Sequence, residues 1–419
     1  MTRLLHIIIT CLFVCAFRHS ASAQTSYSLQ QALTAAKNNN PDLKAAYYNT
    51  AIADADIVSA GLRPNLTLNN QTLQVLNHSN YYPNTNWGNS HNRQVWWQLT
   101  KTFQVAGQRQ NKIDFASKNA ELTKKSYEET ERNTLLTVAE KWLEVWMKQK
   151  QLEILQVAKG NIDSLRYINK LRFKNEVITQ TDLYRTELLA QQYGLQIKTA
   201  QQQLFNQQKE LQVLVGSTDS LLVDNSDHFL PPVAITLDSL LKQSEVIRGD
   251  IQSTLSLIEA SNSNIKLQRS LAYPQPELGI IANPQNAVPY VGIYATIDLP
   301  VFDRNQGEIK KAYAIHDQAE QQLSAIRMRA QTEITNAYNN YKLQEKNVEN
   351  FAAVLEQSRQ ILDNIQYAYL KGGTTIIDFL EAQRSWLETQ QQYFEALQLY
   401  RESHIQLLYS TGLINQLAQ

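Results

Sequence analysis

The 419-residue chain balances 39 lysines and arginines against 39 aspartates and glutamates, a composition that recommends neither nucleic acid nor an anionic surface as partner. Its 13 glycines and 10 prolines are few for this length, so few and very long elements dominated by helix are expected. Glutamine and asparagine abound along them, which predicts helical surface wetted on more than one side, as in a tube wall.

From the start of the chain, Arg3, an apolar run from Leu4 to Phe17 and the small-residue pattern Ala21-Ser22-Ala23 read as a signal peptide over 1–23. The run is too short, and interrupted by His6, to span a bilayer. Both cysteines, Cys11 and Cys15, fall in this segment, so the mature chain is expected to have no thiol for oxidation, metal or nucleophilic attack. The residues before each cysteine match a lipidation motif poorly, which favours a soluble amino terminus at Gln24.

Beyond it the chain is written twice. Ser28-Leu29, Leu33 and Pro41-Asp42-Leu43 are echoed at one constant offset by Thr236-Leu237, Leu241 and Gly249-Asp250-Ile251. Phe173, Glu176, Thr179, Asp182 and Leu183 are echoed, again at one offset, by Tyr369, Gly372, Thr375, Asp378 and Phe379. The first repeat, 24–216, is expected to run as a helix, strands at 65–76 and 93–104, a long helix at 106–171 and a helix at 180–216. A connector at 217–235, with Pro231-Pro232, reads as irregular. The second repeat, 236–415, has its strands at 276–284 and 290–301, its long helix at 306–371 and its last helix at 376–412. A helix of about 65 residues is roughly 100 Å long.

Leu135, Val138, Trp142, Val145 and Leu152 in the first long helix, and Ile334, Tyr341, Val348, Leu355 and Leu362 in the second, follow coiled-coil spacing. A plain antiparallel bundle would explain that stripe equally well. The shorter helices, stacked in pairs, approach the length of each long one, and this matching is what a helical barrel of several chains requires.

The strands suit a membrane. Over 290–301, Val291, Ile293, Ala295, Ile297, Leu299 and Val301 alternate with Tyr290, Gly292, Tyr294, Thr296 and Asp298, giving one apolar face. Val95, Trp97, Leu99 and Phe103 alternate with polar residues in the first repeat. Ten residues match a tilted strand crossing the hydrocarbon layer. A soluble sheet with one face on a core accounts for any single strand, but less readily for two duplicated pairs. Four strands cannot close a barrel, and open edges cannot face lipid, so several chains must contribute. Residues 77–92 would form the longer extracellular loop and 283–289 the shorter.

Leu299-Pro300-Val301-Phe302-Asp303-Arg304-Asn305-Gln306-Gly307, Tyr369-Leu370-Lys371-Gly372 and Asp378-Phe379-Leu380-Glu381-Ala382-Gln383-Arg384 make the mature chain resemble the TolC-like outer membrane factor (outer membrane efflux protein) family. The Phe302–Gly307 wording, with Phe103-Gln104-Val105-Ala106-Gly107-Gln108-Arg109, is similar to its heavy-metal efflux, CzcC/CusC-like branch. The resemblance implies a mainly α protein with membrane β-strands, forming a homotrimer with a 12-stranded barrel in the outer membrane and a 12-helix tunnel in the periplasm. It implies a passive exit duct, working with a periplasmic adaptor protein and an inner-membrane transporter of the resistance-nodulation-division type. It also implies that Asp182, Asp378 and Glu381 line a periplasmic constriction, that Tyr369 helps hold the mouth closed, and that Gly372, Thr375 and Thr179 shape the helix turns. Thr374 departs from the pattern, since the best-known members carry an arginine there that joins the closing network. Asp182 and Asp378 are also placed to act simply as helix-capping acids.

No nucleotide-binding glycine loop follows a strand, and His78, His91, His228, His316 and His404 are scattered without ligand spacing. No cofactor, resident metal or enzymatic activity is expected. Two other readings remain open: an exit duct for drugs or secreted polypeptides, and a periplasmic coiled-coil adaptor or scaffold, which would leave the strand pairs unexplained.

Overall fold

The computed structural model describes residues 25–217, 221–224, 229–284 and 289–418. The predicted signal segment, both cysteines and His228 lie outside the described residues. Strand β1 (Thr25–Tyr27) leads into α1 (Leu29–Asn39) and α2 (Pro41–Gly61), then β2 (Leu66–Gln74) and β3 (Arg93–Thr102). Helix α3 spans Gln108–Lys174 and α4 Gln180–Val215, followed by β4 (Leu221–Val223). The second half gives α5 (Leu237–Ile247), α6 (Gly249–Leu271), β5 (Glu277–Asn283), β6 (Tyr290–Thr296), α7 (Gln306–Lys371), α8 (Ile376–Thr411) and a final turn, α9 (Ile414–Leu417).

Two features differ from the sequence reading. The connector expected to be irregular contains β4, which pairs in parallel with β1; the Asp224 amide and the Trp142 indole Nε1–H both donate to the Tyr27 carbonyl, each at 2.9 Å. Strand β6, expected to reach Val301, ends at Thr296. Thr296 pairs with Glu277, and the next partner in that register is Pro276, which has no N–H to donate.

The contacts divide the chain into two compact units, one built from residues 1–44, 131–244 and 331–419, the other from 45–130 and 245–330. Each therefore draws on both repeats.

In the first unit, Leu33, Leu135, Leu143, Trp146, Leu211 and Leu221 are fully buried in one core, each leucine contributing about 1.5–3 kcal/mol by leaving water. The coiled-coil stripe is the packing face: Leu135, Val138, Trp142, Val145, Ile334, Tyr341 and Leu362 are buried, and Leu152, Val348 and Leu355 half-buried. Arg401, 2% exposed, contacts both Trp146 and Phe229, its guanidinium carbon 4.1 and 4.9 Å from the ring centres.

The second unit holds the antiparallel sheet in the order β2-β3-β5-β6. Its register places Leu68, Leu99, Ile280 and Ile293 in one row across all four strands, and all four side chains are exposed, Ile293 at 88%. The neighbouring row on the opposite face reads Thr67, Thr100, Gly279 and Tyr294. Gly279 is required there, because a Cβ would collide with the Leu99 carbonyl oxygen and with Thr100. Among the described residues, strands β2 and β6 each have one neighbour, leaving two open edges. A sheet with an apolar solvent-exposed face and unpaired edges is unsuited to water and suited to lipid and to closure with further strands. Among the described residues no helix is long and apolar enough to cross a membrane.

Candidate functional site: the helix turns at the end of the first unit

Both long helices end in the same way. Val177 and Glu176 donate to the carbonyls of Arg172 and Phe173, and Gly373 and Gly372 donate at the matching positions to Ala368 and Tyr369. Turns of this kind need a left-handed residue after the helix; Gly372 supplies it at φ 81°, while Glu176 adopts it at φ 58° despite carrying a Cβ.

The returning helices start on matching capping boxes. Thr179 Oγ1 accepts from the Asp182 amide at 3.2 Å, and the Asp182 carboxylate accepts from the Thr179 amide at 3.3 Å. Thr375 and Asp378 make the same pair at 3.2 and 3.2 Å. Asp378 Oδ2 also accepts from both hydroxyls, Thr374 and Thr375, at 2.7 Å. These donors, the Thr375 hydroxyl foremost, hold its carboxyl below the usual carboxylate range. Both aspartates therefore perform the capping duty that their position allows. Glu381, one turn further, is exposed and pairs with Arg384 at 2.8 Å.

Tyr369 is 3% exposed. Its hydroxyl donates to Asn169 Oδ1 at 2.7 Å, Asn169 Nδ2 donates to Thr186 Oγ1 at 2.9 Å, and Thr186 Oγ1 donates to the Asp182 carbonyl at 3.1 Å. This chain ties the ends of α7, α3 and α4 together. The Tyr369 ring stacks on Phe379 of α8 at 5.6 Å between centres. The Arg172 guanidinium carbon lies over the same ring at 4.8 Å from its centre, and Arg172 donates to the carbonyls of Tyr369 and Leu370 at 3.3 and 3.1 Å. An arginine thus joins this network from α3, whereas Thr374, where the family pattern has arginine, turns to Asp378.

Sequence reasoning named Tyr369, Thr179, Thr375, Asp182, Asp378, Gly372 and Glu381 but missed Asn169, Arg172 and Thr186. Asn169 carried a signal: it continues the stripe Leu155, Ile162, where a fully buried polar residue (Asn169 is 0% exposed) marks a specific partner. The histidine reading also missed a local grouping. His316 Nδ1 lies 3.6 Å from Asp317 Oδ1 and His316 Nε2 lies 4.0 Å from Glu320 Oε1, on one helix surface of the second unit.

The outer membrane efflux protein family model matches residues 32–217 and 240–413. Outer membrane protein TolC of Salmonella enteritidis is 23% identical over 418 residues, covering 93% of this chain and 82% of TolC. The pyoverdine export outer membrane protein OpmQ of Pseudomonas putida is 23% identical over 271 residues, covering 61% of this chain and 57% of OpmQ. A crystal structure of CusC superposes with a TM-score of 0.75 at 18% identity, covering 93% of this chain and 92% of that one. With two matched segments, one in each repeat, the chain belongs to the outer membrane efflux protein family: it is a passive, non-enzymatic channel of the outer membrane that extends into the periplasm.

Proposed function

We propose that three copies of this chain close into one duct, a 12-stranded barrel continued by 12 helical rods, that delivers heavy-metal cations to the outside. The observation that carries the assembly is the open sheet: four strands with two free edges and one apolar row are incomplete until other copies supply strands. Energy comes from outside the chain, through a periplasmic adaptor and an inner-membrane transporter of the resistance-nodulation-division type. The cation reading is supported by the Phe302–Gly307 wording of the heavy-metal branch and by the fold likeness to CusC. The relative OpmQ, named for pyoverdine export, supports a second reading, in which the cargo is a small organic molecule. Deleting the gene and comparing sensitivity to divalent metal salts with sensitivity to organic drugs separates them: metal hypersensitivity is expected, and a drug-only phenotype favours the second reading.

In the trimer, threefold copies of Asp182, Asp378 and Glu381 would narrow the periplasmic mouth with negative charge. Replacing Asp378 and Glu381 by alanine is expected to lower cation selectivity and relieve block by polyvalent cations in single-channel recordings. Unchanged selectivity and block would remove these residues from the constriction.

A further inference from the structure

We infer that the part of α7 in the second unit carries a binding site for a divalent transition ion of the zinc type, held by His316 and Glu320 and oriented by Asp317. Each of the three residues brings a possible ligand atom within 4.8 Å of the others. His316 and Glu320 are four residues apart, which places them one above the other on one helix face. Nε2 of the imidazole lies 4.0 Å from Glu320 Oε1, and the other ring nitrogen, Nδ1, lies 3.6 Å from Asp317 Oδ1.

Neither distance is a hydrogen bond, so each ring nitrogen faces a carboxylate without being engaged by it. The two carboxylates have different parts. One at Nδ1 keeps the N–H there and leaves the Nε2 lone pair for an ion, as in carboxylate–histidine–zinc triads. Zinc bonds of about 2.0–2.2 Å to nitrogen and oxygen, at the tetrahedral angle, set two ligand atoms ~3.4 Å apart. Glu320 Oε1 is already near such a position, and its side chain, 57% exposed, is free to close the gap. The His316 side chain is 17% exposed and is the fixed ligand. The exposed carboxylates leave the ion a path from solvent, and water fills its remaining positions.

The surrounding charges favour a cation. Elsewhere on α3 and α7, glutamates take a lysine three residues away: Lys118 with Glu121, Lys311 with Glu308 and Lys342 with Glu345. Between Lys311 and Arg327, α7 has no lysine or arginine. Among the described residues, Asp317 and Glu320 have His316 as their sole ion partner. An imidazole in the set selects zinc, nickel or copper over magnesium and calcium, which prefer oxygen alone.

Calorimetric titration of the full tag-free protein in detergent with Zn²⁺, and with Mg²⁺ as the control, tests this. Saturable zinc uptake is expected, undisturbed by an equal concentration of Mg²⁺. Glu320→Gln and Asp317→Asn, both at exposed positions that leave the fold intact, should each weaken it about tenfold or more. His316→Gln should remove one bound ion per chain. No saturable uptake, uptake unchanged in all three variants, or displacement by an equal concentration of Mg²⁺ would each overturn the site. The gene-deletion phenotype reports what passes through the duct and this titration what α7 holds, so either can fail without the other.

Discussion

Replacing Asn169 by leucine is expected to raise the open population of the channel about thirtyfold in planar-bilayer recordings. The amide is the middle member of the chain from Tyr369 to Asn169 to Thr186, with donor–acceptor distances of 2.7 and 2.9 Å. Leucine fills the same space and offers no polar atom, so the buried Tyr369 hydroxyl loses its acceptor, while Thr186 Oγ1 loses a donor and keeps its bond to the Asp182 carbonyl. Leaving a buried polar group unsatisfied costs about 2 kcal/mol, and 1.4 kcal/mol is a factor of ten. That penalty falls on the arrangement in which the ends of α3, α4 and α7 are tied, and not on one in which they separate and reach water. Tyr369→Phe should act in the same direction. The double variant should then fall well short of the sum of the two, because both remove one shared bond. Conductance indistinguishable from wild type in both single variants would show that this network is structural and has no part in opening.

The second large effect concerns acid. His404, 1% exposed, sits among the rings of Phe229, Tyr341 and Tyr400 at 6.1, 5.1 and 6.4 Å. Burial pushes its pKa down to about 4, only partly opposed by the carboxylate of Glu345 on α7. The native state thus holds the ring neutral, while the unfolded chain protonates it near the ordinary value of about 6.5. Stability from this group is complete above pH 6.5 and falls as the pH drops through the window from 6.5 to 4, by about 3 kcal/mol in all. Denaturant unfolding at pH 7.5 and 4.5 should show that loss on top of the carboxylate contributions, and His404→Phe should reduce the difference by about that amount. An equal acid sensitivity in wild type and variant would mean that the imidazole is charged in the folded protein.

What the sequence disclosed was whatever depends on neighbours along the chain. Long runs without proline gave α3 and α7, alternation gave β3 and β6, and threonine followed three residues later by aspartate gave the caps of α4 and α8. What it withheld depends on partners far away in the chain. Asn169 and Tyr369 are 200 residues apart, and nothing local in either announces the other. Arg401 looks like one more solvated helix charge until Trp146 and Phe229 close over it. The pairing of Thr25–Tyr27 with Leu221–Val223 was likewise hidden, because three-residue strands have too short a pattern to read. The end of β6 at Thr296 was legible only through Pro276, on the opposing strand.

The interleaving of the two units has a consequence for how the protein is made. A chain emerging amino terminus first presents residues 25–44 and 131–217 long before 331–418, which complete the same unit. Neither unit can finish its core on the first repeat alone. Closing such distant segments is slow, and the waiting surfaces are prone to aggregate. A chain delivered as far as residue 330 already carries the whole exposed row of Leu68, Leu99, Ile280 and Ile293 and still lacks the segment that completes the first unit, so arrival of the last fifth of the sequence closes its most aggregation-prone interval.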